Sequence, residues 1–172
     1  ALPITDLKKE LGALFAPSAK DFALVDVPEL DFLMVDGRGD PNTAPAFQEA
    51  TEALYAVAYT AKFALKKASG EDFAVMPLEG LWWAEDMRVF GAGKKDDWLW
   101  TLMIAQPASV TSALIQDAVK EVAKKKNPPA LTKVRFMSFH EGPAVQILFI
   151  GPYADEGPVI ARMHAFIAEN GY

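Results

Sequence analysis

The chain has no cysteine, which excludes disulfides, thiol nucleophiles and thiolate metal ligands together. Its two histidines, His140 and His164, stand far apart without ligand-spaced partners, so no metal site is expected. There is no phosphate loop, dinucleotide fingerprint or nucleophile elbow, and no cofactor is expected. No apolar run approaches the roughly 18–20 residues that span a bilayer, so no membrane partner is expected. The first residues also lack the basic-then-apolar order of a signal peptide. Together with the missing cysteines, this reads as a cytoplasmic protein. Positive charge is in the minority: 17 Lys and Arg stand against 23 Asp and Glu, a net charge of -6. An acidic surface repels phosphate, so this domain alone is not expected to bind nucleic acid, and its field favours cationic ligands. Lys124, Lys125 and Lys126 suit a solvated helix end better than a nucleic-acid patch.

What remains is ample for one globular domain: 172 residues, 51% hydrophobic and 23% charged. Residues 1–29 read as an N-terminal extension, with a short helix at Asp6 to Phe15 broken by Pro17, Ser18 and Pro28. Leu30 to Val35 is an apolar strand ending in the glycine-permitted turn Asp36-Gly37-Arg38-Gly39-Asp40-Pro41. From Ala44 to Ala68 the period changes, and Phe47, Ala50, Leu54, Ala58, Ala61 and Leu65 make one helical stripe stopped at Ser69-Gly70. Two aromatic strands follow, Phe73 to Trp83 and Trp98 to Ala105, joined by a polar hairpin loop with Gly91, Gly93, Lys94, Lys95, Asp96 and Asp97. A helix from Val110 to Lys126, capped by Ser109 or Thr111, ends at Asn127-Pro128-Pro129. Lys133 to Phe139 and Ala144 to Ile150 read as strands turned by Gly142-Pro143, followed by a helix from Pro158 to Glu169.

This order predicts an α+β fold with an internal duplication. Leu33 to Pro41 leads from a strand through glycine and acid into a helix, and Leu148 to Pro158 repeats the step. The first module occupies 30–107 and the second 133–172, within one domain of 30–172. The second ends at Tyr172 with its helix just finished and its closing strands missing. An exposed sheet edge would follow, so a natural chain that runs on past Tyr172 is expected.

Several ordered stretches carry a resemblance: Gly37-Arg38-Gly39-Asp40-Pro41-Asn42, then Leu54-Tyr55 to Tyr59 and Lys62, Pro77-Leu78-Glu79-Gly80-Leu81-Trp82, Met103 to Pro107, and Val145 to Tyr153 with Asp155, Glu156 and Pro158. From about residue 30 to the end, the chain resembles stand-alone GyrI-like proteins, relatives of the effector-binding domains of BmrR-type regulators. The resemblance implies two βαββ modules about a pseudo-twofold axis, an antiparallel sheet with helices on one side, and a ligand cleft between the modules. It implies an acid among aromatic rings that receives lipophilic cations, for sequestration or sensing in drug or toxin resistance. Some stand-alone members are hydrolases of cyclopropane-containing genotoxins that use two glutamates to activate water. One of these glutamates corresponds to Glu156; the other lies in a strand after the final helix, beyond this chain. The chain carries no DNA-reading helix-turn-helix; a small-molecule ligand and a monomer or homodimer are expected.

The residues bear their own reading. Alternation puts Glu79, Leu81 and Trp83 on one face of their strand and Gly80 and Trp82 on the other. Gly80 leaves room beside Trp82. Trp98 and Trp100 share a face of the next strand. Each indole serves either as core or as the wall of a box that stacks on a guest or holds a cation; among four, at least one is expected to line a pocket. Glu79 is either cleft-facing or simply solvent-facing. Tyr55 and Tyr59, one helical turn apart, present two hydroxyls or merely pack, and Tyr153 follows the last strand toward the same cleft. Glu156 precedes Pro158 at a helix start. There it is either a capping acid, worth about 1 kcal/mol, or a carboxylate that receives a cation or takes a proton from water.

Overall fold

The computed structural model of the chain describes residues 2–90 and 93–172. Its elements in chain order are strand β1 (Ile4–Thr5), helical turns α1 (Leu7–Glu10) and α2 (Gly12–Phe15), strands β2 (Ala23–Val27) and β3 (Leu30–Arg38), helix α3 (Pro45–Ser69), strands β4 (Asp72–Phe73), β5 (Glu79–Trp83) and β6 (Leu99–Gln106), helix α4 (Ser112–Lys125), strands β7 (Arg135–Phe139) and β8 (Gly142–Gln146), and helix α5 (Gly157–Glu169). The fold is α+β. Two compact units divide the chain: one runs to Asp6 and then from Leu30 to Phe139, and the other comprises Leu7–Glu29 and His140–Tyr172.

In the first unit four antiparallel strands lie in the order β5-β6-β3-β7. Leu33 and Val35 of β3, with Leu102 and Ile104 of β6, are buried on one face. Helix α3 packs on β3 and β6 and buries Ala50, Ala53, Leu54, Val57, Ala58 and Ala61. The alanines keep the helix close to the sheet, and each large aliphatic contributes about 1.5–3 kcal/mol by leaving water. Pro45 opens α3, where its missing N–H costs nothing, and Gly70 closes it at φ 78° with its N–H on the Lys66 carbonyl. Helix α4 packs against α3. Its cap is Thr111, whose hydroxyl accepts the Leu114 N–H at 3.2 Å.

The continuous strand expected over 73–83 is two pieces. Residues Asp72 and Phe73 pair in parallel with β1, whereas β5 begins only at Glu79. Pro77 lies between them and has no N–H for a ladder. Asp72 anchors the first piece: Lys62 donates to its carboxylate at 2.6 Å, Lys66 lies at 3.2 Å, and Lys62 also donates to the Phe73 carbonyl. The hydrogen bond from Lys62 first, then that from Lys66, outweighs desolvation and holds the Asp72 carboxyl below its ordinary pKa.

The expected pairing of the strands flanking Gly142-Pro143 is also corrected. Strand β7 pairs with β3, and β8 pairs instead with β2, from Ala23↔Gln146 to Val27↔Gly142. Strand β8 is shorter than expected, ending at Gln146. Residues 1–29 therefore supply β1, β2 and the turns α1 and α2, rather than only a short helix. In the second unit the Leu148 N–H donates to the Ser18 carbonyl at 2.9 Å, and the Gln146 side chain donates to the Ala13 carbonyl at 3.1 Å. Phe22 meets Phe166 of α5 with ring centroids 5.5 Å apart. The apolar stripe of α5 (Val159, Met163, Phe166, Ile167) is only half-buried. Gly91, expected in the polar loop, lies outside the described residues; the loop's far side is the 3-10 turn Lys95–Asp97.

Candidate ligand-binding site

Across the first unit's sheet, Trp82 on β5, Trp100 on β6 and Gly37 on β3 stand in register on the face toward α3. Trp100 is completely buried, and its benzo ring lies against Gly37: a Cβ at 37 would come 2.0 Å from Cη2. Trp82, on an edge strand, is 38% exposed. Phe47, in the first turns of α3, joins the two, stacked with Trp82 (centroids 6.0 Å, planes 23° apart) and edge-on to Trp100 (5.5 Å, 75°). Trp98 meets Trp82 edge to face at 6.0 Å. The result is a cluster with a buried indole floor and a half-open rim. Lys95 places its ammonium 5.6 Å from the Trp98 ring centroid, a cation–π contact within the chain.

The expected site residues therefore separate. Trp82 and Trp98 are brought together at the rim. Trp100 is core, because only the absence of a side chain at Gly37 gives its ring a seat there. The space expected over Gly80 is filled by the Trp82 indole itself, folded back so that a Cβ at 80 would lie 2.7 Å from Nε1. Glu79 and Trp83 lie on the opposite face, in register with Met103 and Leu99, and both are exposed. That face carries a polar cluster: Thr101 donates to Asp36 at 2.6 Å, and Arg135 grips the same carboxylate at 2.9 and 3.0 Å. Desolvation alone would raise the Asp36 pKa; the bonds from Thr101 and Arg135 outweigh it and hold the carboxyl below its ordinary value.

Tyr55 and Tyr59 are neighbours on α3, with centroids 6.3 Å apart. The Tyr55 hydroxyl accepts the Leu78 N–H at 3.1 Å and so pins the segment leading into β5, whereas Tyr59 is exposed. In the second unit Tyr153 is 85% exposed within the 3-10 turn Tyr153–Asp155. Glu156 stands at the N-cap of α5, its carbonyl accepting from Val159 and Ile160, but its side chain makes no capping hydrogen bond. The residue is half-buried.

A hollow open to solvent is lined by Arg38, Glu85, Asp86, Asp97 and Leu99, and by none of the expected site residues. Asp97 is paired with Arg38 at 3.2 Å and Asp86 with Arg88 at 2.8 Å. Among the described residues no cluster of three or more His, Cys, Asp or Glu could hold a metal ion, and no helix is long and apolar enough to cross a membrane.

The sequence had placed Phe47 among core positions of its helix and missed its role at the rim. The signal was its place in the first turn after Pro45, at the end of the helix that faces the aromatic strands. Lys95 over Trp98 was legible only as loop charge.

No curated protein matches the chain. Solved structures do. An uncharacterized conserved protein from Listeria innocua is 39% identical, with a TM-score of 0.88, covering 97% of this chain and 82% of its own. Two structures described as hydrolases from Listeria innocua are each 38% identical, with TM-scores of 0.83 and 0.86; they cover 97% and 98% of this chain, and 85% and 82% of their own. The profile of the GyrI-like small molecule binding domain matches residues 20–172. With that match over nearly its whole length, the chain belongs to the GyrI-like family of small-molecule-binding domains.

Proposed function

We propose that this protein binds a flat, hydrophobic small molecule, preferably a cationic one, on the aromatic rim formed by Phe47, Trp82 and Trp98. The observation that carries the reading is a large indole left 38% exposed on an edge strand while stacked on Phe47 and braced by Trp98. An apolar ring held so costs little entropy to use, because its neighbours have already fixed its orientation. Its open surface offers a π-system to a planar guest or a cation. The net charge of -6 adds a long-range preference for positive ligands. Membership in a small-molecule-binding family supports the class of ligand.

The test is calorimetric titration with N-methylacridinium, a flat cation, beside neutral acridine of the same shape. Binding of both, tighter for the cation, is expected, and Trp82→Ala should weaken it about 5–30-fold, the equivalent of roughly 1–2 kcal/mol of ring contact. Equal binding by Trp82→Ala and the unaltered protein would remove the rim from the account.

A second reading is hydrolysis, favoured by the two relatives described as hydrolases and by the Glu156 carboxylate, which is free of any capping bond. In that reading Glu156 takes a proton from water while the oxygen attacks a carbon of a strained cyclopropane ring; the ring C–C bond at that carbon breaks, its electron pair passes to the adjoining electron-accepting group of the substrate, and the proton is returned there. Turnover of a cyclopropane-bearing substrate that disappears in Glu156→Gln supports it; turnover that persists at the same rate removes Glu156 from it.

A further inference from the structure

Gly80 sits inside a strand, where glycine is entropically unfavourable and packs nothing. The backbone gives no reason for it. Gly39, Gly70, Gly93, Gly142, Gly151 and Gly171 have positive φ, and Gly80 is not among them. Its ladder to β6 is regular, opposite Leu102. What the missing side chain provides is space, and the Trp82 indole occupies it: a Cβ at 80 would stand 2.7 Å from Nε1, 3.1 Å from Cε2 and 3.3 Å from Cζ2. These distances lie below or at the limit of ordinary contact, and the atoms that would have to yield belong to the far end of a half-exposed side chain, not to backbone. A methyl group at 80 therefore lifts the indole off the strand and leaves the sheet in place. Lifting it breaks the near-parallel arrangement with Phe47 and the edge-to-face arrangement with Trp98 at once.

We infer that Gly80 is a positioning residue that determines which guests the rim accepts, by letting the Trp82 indole lie back along its own strand; this rests on the binding reading above. A reclined indole offers a broad apolar surface continuous with Phe47, suited to a flat polycyclic cation. A lifted one presents a narrow, mobile ring that still attracts a compact or branched cation by charge and cation–π contact, without the area for a planar partner. Gly37 solves the same problem for Trp100 in the core, but there the indole is fully buried and cannot move aside.

The experiment is a two-by-two cycle on the full chain: unaltered protein, Gly80→Ala, Trp82→Phe and the double variant. Each is titrated with N-methylacridinium and with tetrabutylammonium. The exciton circular-dichroism couplet of neighbouring indoles is recorded for the unaltered protein and Gly80→Ala. Gly80→Ala is expected to stay folded, to lose most of the Trp82–Trp98 couplet, to bind N-methylacridinium at least fivefold more weakly, and to bind tetrabutylammonium within twofold of the unaltered protein. In the Trp82→Phe background, where the Nε1 edge is gone, Gly80→Ala should cost less than twofold. An unchanged couplet with unchanged affinities overturns the inference, and so does an equal loss in both backgrounds, which would mean that glycine acts through the strand and not through Trp82. If the unaltered protein binds neither probe, the binding reading fails and the selectivity claim with it, while the couplet still decides whether Gly80 seats the indole.

Discussion

Phe47 and Trp82 lie with their rings 23° from parallel and 6.0 Å apart, although one belongs to the first turns of a long helix and the other to the edge of a sheet. The contact ties α3 to the strand farthest from its main seat on β3. It holds an indole in place without burying it, and a surface that is apolar, rigid and open is what a binding site for a small hydrophobic molecule requires.

Trp82 and Trp100 should differ sharply when truncated. Trp100→Ala empties a fully buried site and is expected to cost about 3–5 kcal/mol of stability. Trp82→Ala, at the half-open rim, should cost well under half of that while weakening ligand binding. Urea midpoints of the two variants, measured beside the unaltered protein, check the contrast.

Gly37→Ala should destabilise by about 1–3 kcal/mol, the cost of overpacking a filled core. The added methyl would meet a Trp100 ring that has nowhere to go. Gly80→Ala should leave the urea midpoint nearly unchanged. Equal destabilisation by the two substitutions would contradict the account of the two glycine seats.

Lys95 already occupies the cation–π position over Trp98. Its replacement by glutamine should tighten binding of N-methylacridinium about 2–5-fold at low salt and leave neutral acridine unaffected, since the lysine competes only with a positive guest. Titration of both probes against Lys95→Gln reads this directly.

Asp72 gives a pH dependence of known sign. Its carboxyl is held below the ordinary range by Lys62 first and Lys66 next, so it is ionised and stabilising in the folded state above the unfolded-state pKa. That stability is lost as pH falls through the lower, folded pKa. Urea midpoints should therefore decline below about pH 4, the ordinary carboxylate range, and Asp72→Asn should flatten that part of the decline while lowering stability at pH 7.

Much of the first unit was legible because its elements follow strong local rules. The 25-residue α3 has a clear stripe and a Gly70 stop after it, and its bounds fall within a residue of expectation. Alternation on β5 correctly separated Glu79 and Trp83 from Trp82. The polar loop before Trp98 correctly paired β5 with β6, but the partner of β8 was not legible. Nothing near Gly142 says that β8 pairs with a strand more than 110 residues earlier, since ladder bonds carry no side-chain signature. Nor could the sequence say which of four tryptophans is core. That depends on Gly37 standing across from Trp100, a relation of register between β3 and β6 that no local window contains.

The most direct test is a titration of the ¹⁵N-labelled protein with N-methylacridinium, following the four indole N–H signals after assignment by single Trp→Phe substitutions. The account predicts saturable shifts for Trp82 and Trp98 with Trp83 unmoved, because Trp83 lies on the other face of the strand. Saturable shifts at Trp83 with Trp82 and Trp98 still would place the guest elsewhere and contradict it.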